Sequence, residues 1–188
     1  MPTAITHGIV GLAANWAFAP RETPKYFWGL ATACSILPDL DILGFYIGLP
    51  HRHLFAHRGF FHSPFFALLL SLLVLGLLFR RYRIFSKPWF SYFFFFFFVT
   101  TSHGLLDALN SGGYGAALFI PFNDSRYSFP WTPLPIPPIR IRSFFSPWGW
   151  TVFKRELLWV WLPLLFLVLI SRSFRSAFAG RENRRTGL

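Results

Sequence analysis

The sequence predicts an all-α protein: an integral membrane bundle of about five helices, with a long Pro- and aromatic-rich loop on one side. Three observations carry this expectation. Of the 188 residues 54% are hydrophobic and 13% charged, whereas soluble domains carry roughly 25% charged residues. The apolar residues fall in runs that approach membrane length, for which about 20 residues make a full span and about 17 a practical minimum. The net charge of +11 sits in short clusters between those runs rather than along polar faces, the pattern of cytoplasmic anchoring. A nucleic-acid partner is therefore not expected.

The first helix is expected over about residues 3–19 and the second over 24–37. Both are short and carry polar residues, which suits helices partly embedded or packed inside the bundle. The third, over 64–79, is opened by Ser63 as an N-cap and Pro64 at its first position. The fourth covers 89–109 and contains six consecutive phenylalanines, 93–98. Because that run is apolar on every face, it reads as lipid-facing bulk. The fifth is expected over 156–170, slightly short of a full span. Residues 1–170 then form one membrane-embedded domain and 171–188 a basic cytoplasmic tail. Between the fourth and fifth helices, residues 110–155 read as an outward-facing flap, since long aperiodic connections are usually functional.

If the helices alternate, eleven of the 18 basic residues lie on one side: Arg21, Lys25, Arg80, Arg81, Arg83, Lys87, Arg172, Arg175, Arg181, Arg184 and Arg185. The positive-inside rule makes that side cytoplasmic and turns residues 38–63 and 110–155 outward. The first residues lack a basic stretch and a small-residue cleavage site, so no removable signal peptide is expected. The single cysteine, Cys34, excludes an internal disulfide and a cysteine-based zinc site. It reads as a small core residue.

The groups able to do chemistry gather at the outer side. All six histidines (His7, His51, His53, His57, His62, His103) lie there, with the acids Asp39, Asp41, Asp107, Asp124 and Glu156. Ionisable groups at membrane helices are costly and mark function. In "SHGLLDAL", His103 and Asp107 stand one helical turn apart on one face and can share a metal ion. In "LPDLDIL", Pro38 disfavours helix at Leu37, so Asp39 and Asp41 are presented from a turn. In "HRGFFHS", His57 and His62 bracket a loop-to-helix turn, and Arg58 could neutralise a phosphate or carboxylate. His51 and His53 read as interfacial. Nitrogen and oxygen ligands without thiolates suit zinc in a catalytic setting, and also manganese or iron. The candidate ligands are His7, Asp39, His57, His62, His103, Asp107 and Glu156, with Asp39 or Asp41 as general base.

Taken in order, "THGIVG", "PDLD", "HRGFFHS", "SHGLLDALN" and "FIPF" resemble the YdjM-like family, LexA-regulated inner-membrane proteins of bacteria assigned as metal-dependent hydrolases. The likeness runs from about His7 to Glu156 and implies a bacterial inner (plasma) membrane location. The family is in turn distantly similar to zinc-dependent phospholipase C and related single-strand nucleases, all-helical enzymes with three zinc ions and a His-x-x-x-Asp pair. That likeness implies that His103 and Asp107 are the pair, with His7, Asp39 and His57 or His62 as the preceding ligands. The second, downstream His-x-x-x-Glu pair of the phospholipases has no counterpart, because no histidine follows His103 and only Glu156 remains. One or two ions are therefore expected. The combined expectation is a multi-pass hydrolase in which a metal-activated water attacks a phosphoester or other ester bond of a lipid or lipid-linked substrate. The alternative is a non-catalytic membrane protein, a transporter or scaffold, with a His/Asp metal site. The apolar middles of helices three and five speak against a transport path.

Overall fold

The computed structural model describes residues 2–20, 23–50, 53–138 and 141–186. Arg21, His51, Arg52 and Arg140, named or counted above, lie outside the described residues, as do the side chains from residue 177 onward. The described residues are helical and include no strand, only isolated bridges of Asn110 with Leu134 and Ala116 with Tyr127.

Helix α1, Ala4–Phe18, is capped by Thr3, whose hydroxyl accepts from the Thr6 amide at 3.2 Å. Helix α2, Phe27–Ile36, runs antiparallel along it: Gly8 meets Ile36, and Gly11 meets Ala31 and Thr32. A Cβ at Gly11 would lie 2.9 Å from the Ala31 carbonyl oxygen and 2.8 Å from the Thr32 Cα. Only a glycine lets the two backbones approach so closely, the usual means by which helices pack in lipid. Pro38 ends α2, and the chain continues as a 3₁₀ turn, Leu37–Ile42, and the short helix α3, Leu43–Tyr46. A second 3₁₀ turn, Phe60–His62, leads into α4, Pro64–Leu78, where Ser63 caps through Phe66 N at 3.1 Å. Helix α5 is Lys87–Ala108. After a long loop come α6, Ile141–Phe144, α7, Pro147–Glu156, a π-helical turn, Leu157–Trp161, and α8, Leu162–Thr186.

Two expectations are corrected. The last long helix begins at Pro147 rather than at residue 156. Ser146 caps it by accepting from Gly149 N at 3.2 Å, the same Ser-Pro start that opens α4. Lys154 and Arg155 interrupt its apolar run, which hid the first ten residues from a reading based on hydropathy. The phenylalanine run is also not uniformly lipid-facing. Phe95 and Phe96 are buried while Phe94 and Phe98 are exposed, so α5 turns one face inward. That face packs with Phe27, Ala31 and Cys34 of α2, with Leu70 and Val74 of α4, and with Phe79 just after α4.

By length and composition α5 and the continuous segment Pro147–Ser176 can cross a membrane, and α4 is apolar but shorter. The chain folds so that the start of α1, the end of α2, the start of α4 and the end of α5 meet at one end of the bundle. The loop after α5 is fastened over that end. Ala117 N donates to the Arg58 carbonyl at 2.9 Å, and Ser111 N to the Leu134 carbonyl at 2.6 Å. At the opposite end Arg175 of α8 donates to the Ala17 and Ala19 carbonyls, at 3.3 and 2.8 Å, and so caps α1.

Candidate metal centre

His103 and Asp107 project from one face of α5, both fully buried. Between them a Cβ on Gly104 would fall on the His62 carbonyl oxygen. The glycine therefore lets the 3₁₀ turn Phe60–His62 rest directly on α5, and this contact delivers the His62 ring. The His103 Nδ1 lies 2.8 Å from the Ser35 carbonyl oxygen of α2. A carbonyl only accepts, so Nδ1 carries the proton and Nε2 turns its lone pair inward. That Nε2 stands 3.1 Å from His62 Nε2 and 3.3 Å from Asp39 Oδ1. His62 Nε2 is in turn 3.2 Å from Asp107 Oδ2 and 3.9 Å from Asp39 Oδ1. One ligand atom from each of Asp39, His62, His103 and Asp107 thus lies within 4.8 Å of the others.

A second group, Asp41, His57 and His62, meets the same limit. Asp41 joins the two. Its Oδ1 is 2.6 Å from His57 Nδ1, and its Oδ2 is 3.0 Å from His62 Nδ1 and accepts from Arg58 N at 3.1 Å. Arg58 holds a left-handed backbone, φ 65, which costs about 1–3 kcal/mol for a non-glycine residue. The bond to Asp41 and two side-chain contacts hold it there: Nε at 3.4 Å from Asp107 Oδ2, and Nη1 donating to the Gly112 carbonyl at 3.2 Å.

Burial alone would raise the Asp41 pKa, but hydrogen bonds from His57 and His62 outweigh it and hold the carboxyl below its ordinary range. Burial likewise opposes the charged form of His62, yet Asp107 and Asp41 prevail and raise its pKa to about 9. At neutral pH His62 is a cation between carboxylates, and it must release a proton before Nε2 can coordinate a metal.

The residues present fit a divalent cation. The His7 ring nitrogens and both oxygens of Asp39 and of Asp107 are buried without an aligned hydrogen-bond partner among the described residues. Each such group costs about 1–3 kcal/mol, more if charged, and native folds rarely gather several in one place. A cation among them removes that cost.

His7 borders the four-residue group. Its ring stacks on His103 with centroids 3.7 Å apart, and its Nε2 lies 3.3 Å from Asp107 Oδ1. Glu156 departs from its expected role and belongs to neither group. Its carboxylate accepts from Thr3 N at 2.6 Å, Thr3 Oγ1 at 2.7 Å and Thr6 Oγ1 at 2.6 Å, and so fastens α7 to the start of α1. His53 is exposed, with Nδ1 accepting from Phe55 N, and Asp124 is exposed in the loop.

A cavity of about 330 Å³ opens beside the cluster, lined in part by His57, Arg58, Tyr114 and Arg126. Arg126 was not legible as a site residue, because the loop that carries it has no periodicity to assign it a face. Its Nη1 donates to the His57 carbonyl at 2.8 Å. Burial, and then the neighbouring Arg58, lower its pKa from the ordinary arginine value.

The chain matches the sequence profile of a family described as YdjM inner membrane protein, over residues 1–179. It is similar to the inner membrane protein YbcI of Escherichia coli (strain K12), with 33% identity over 168 residues, 89% of this chain and 95% of that protein. No solved structure matches it.

Proposed function

The chain belongs to the YdjM inner membrane protein family, and on that premise we propose that it is a multi-pass, metal-dependent hydrolase whose site faces the extracytoplasmic side. One observation carries the reading. Buried Asp39, His62, His103 and Asp107 converge, their carboxylates without aligned hydrogen bonds, next to a cavity with a cationic wall. Perturbed, convergent ligands beside a cavity are what a reactive centre needs.

The proposed cofactor is zinc, one or two ions, with manganese or iron fitting the same donors. Asp39, His62, His103 and Asp107 would hold the first ion, and Asp41, His57 and His62 offer a second position. When bound, the ion supplies a Lewis acid that makes a water acidic and polarises the bond under attack. The chain's own residues do the rest. Asp41 takes the His62 Nδ1 side and the Ser35 carbonyl takes the His103 Nδ1 proton, so both Nε2 atoms face the centre. Asp39 is the carboxylate placed to accept a proton from the attacking water, since both Asp41 oxygens are already engaged. The Arg58 guanidinium at the cavity wall is placed to draw an anionic group toward the cluster.

The proposed substrate is a phosphoester, or another ester bond, of a lipid or lipid-linked molecule. The family's membrane location and the position of the cluster at the helix ends support it. The distant likeness to zinc-dependent phospholipase C belongs to the same proposal, supported by the convergence of His103 and Asp107. A non-catalytic scaffold with a structural metal would close its coordination sphere, and the cavity against His57 and Arg58 favours the enzyme.

The test is metal analysis of detergent-purified protein together with an assay on phospholipids and lipid phosphates. The wild type is expected to hold zinc and to turn over such a lipid, and His103→Ala to lose both, with the rate down by more than about 100-fold. Unchanged hydrolysis in His103→Ala would overturn the proposal.

A further inference from the structure

The cavity beside the cluster has two unlike walls. Toward the cluster it presents Arg58, Arg126 and the His57 ring; the rest is apolar, with Ile42, Phe45, Ile136, Pro138 and Phe144. The two arginines come from different segments. Arg58 sits on the strained turn, and Arg126 on the loop that Ala117 N and Arg126 Nη1 fasten to the carbonyls of Arg58 and His57. Arg58 spends Nε on Asp107 and Nη1 on the Gly112 carbonyl, and its Nη2 makes no hydrogen bond among the described residues. Two guanidiniums on one partly buried wall repel each other, and an anion held by both reverses the sign of that interaction.

The surroundings say what kind of molecule bears the anion. Next to the apolar wall stand Tyr46, Tyr114, Phe145 and Trp148, all exposed. Aromatic side chains concentrate in this way at the level of membrane head groups. The cavity, about 330 Å³, is at the small end of ligand pockets, which run from about 300 to 1,000 Å³. It has room for a head group and the beginning of an acyl or prenyl chain, not for a whole lipid.

We propose that this cavity binds the phosphate-bearing end of a membrane lipid, with Arg58 and Arg126 holding the phosphate and the apolar wall receiving the start of the lipid's chains. Arg126 is then a specificity-determining residue: its fixed positive charge on the cavity wall selects a phosphate over a neutral head group. The proposal deepens the hydrolase reading and rests on it for what becomes of the bound phosphate, though not for the binding itself.

The experiment measures binding to full-length, zinc-loaded protein in detergent, with three probes: a non-hydrolysable phosphonate analogue of dioctanoyl phosphatidic acid, dioctanoylglycerol, and glycerol 3-phosphate. The phosphonate lipid is expected to bind at least about tenfold more tightly than either other probe, the scale of one charge-assisted hydrogen bond. Arg126→Ala is expected to lose about that factor for the phosphonate lipid and to weaken glycerol 3-phosphate as well, with diacylglycerol binding and zinc content unchanged, and Arg126→Lys to recover it only in part. Equal binding of the phosphonate lipid by wild type and Arg126→Ala, or an equal loss for diacylglycerol, overturns the phosphate assignment. Glycerol 3-phosphate binding as tightly as the lipid overturns the lipid assignment. If the selectivity is as expected but no lipid phosphate is turned over, the binding site stands and the hydrolase reading fails.

Discussion

His62 sets how the cluster answers to pH, because it touches both ligand groups. Its pKa, raised to about 9 from 6.5, means that the folded chain binds this proton more tightly than the unfolded chain. The stabilisation it gives is complete below about pH 6.5 and is lost as pH rises through about 9. Metal binding through Nε2 must displace the same proton, so affinity should climb with pH over that window, by up to about tenfold per unit. Chelator-treated protein is expected to melt at progressively lower temperature from pH 6.5 to 9, while competition titration shows zinc binding more tightly. Zinc affinity that stays flat across the window would remove His62 from the ligands. Asp41→Asn isolates the supporting role of its carboxylate. It should weaken zinc at the four-residue group by about 10–100-fold without removing a direct contact there, and full loss of that ion would instead make Asp41 one of its ligands. The His103–Asp107 pairing was legible because a spacing of four fixes a shared helix face whatever the tertiary fold. The Asp41 clamp was not, since it joins residues 16 and 21 positions away through a turn whose shape no periodicity records.

At the level of elements, the cluster depends on contacts that place helix ends rather than on the helices themselves. Gly104 lets the Phe60–His62 turn rest on α5, and a methyl there would strike the His62 carbonyl. Gly104→Ala is expected to cost about 1–3 kcal/mol and to lower zinc content while α5 stays helical by circular dichroism. Retained metal would show that the turn can shift without moving its imidazole. Glu156 makes the complementary case. Its three hydrogen bonds to Thr3 and Thr6 hold the start of α1, from which His7 follows. Glu156→Gln should therefore destabilise the fold, by about 1–3 kcal/mol, and leave zinc stoichiometry as in the wild type; a ligand role predicts the reverse. Sequence placed Glu156 at the right end of the bundle but gave it the wrong partner, because its hydrogen bonds reach residues about 150 positions away. The same limit applies to α7. Its Ser-Pro start matches that of α4, but Lys154 and Arg155 break the hydropathy by which membrane helices are found. The helices free of such interruptions, α1, α2, α4 and α5, were placed to within about three residues at each end, the ordinary uncertainty of helix boundaries.

For the molecule as a whole, the fold ties the compartment from which the proposed substrate comes to the orientation of the chain. The cluster, the cavity and the loop over them share one end of the bundle. The basic residues Arg80, Arg81 and Arg83 in the connection between α4 and α5, and Lys87 at the start of α5, lie at the other. Moving such a cluster across the membrane during insertion is unfavourable, which is why cationic loops stay in the cytoplasm. The proposed orientation follows, with the lipid phosphate approached from the outer face. Cys34 is buried, so a Cys34→Ala background offers a clean chain for labelling. Ser125 in the loop and Ser176 in α8 are both exposed. In intact spheroplasts a membrane-impermeant maleimide is expected to label Ser125→Cys, and to reach Ser176→Cys only after the membrane is opened. The opposite pattern would turn the site toward the cytoplasm. The geometry of the cluster would be untouched by that result, but the proposed substrate would then be a lipid of the inner leaflet.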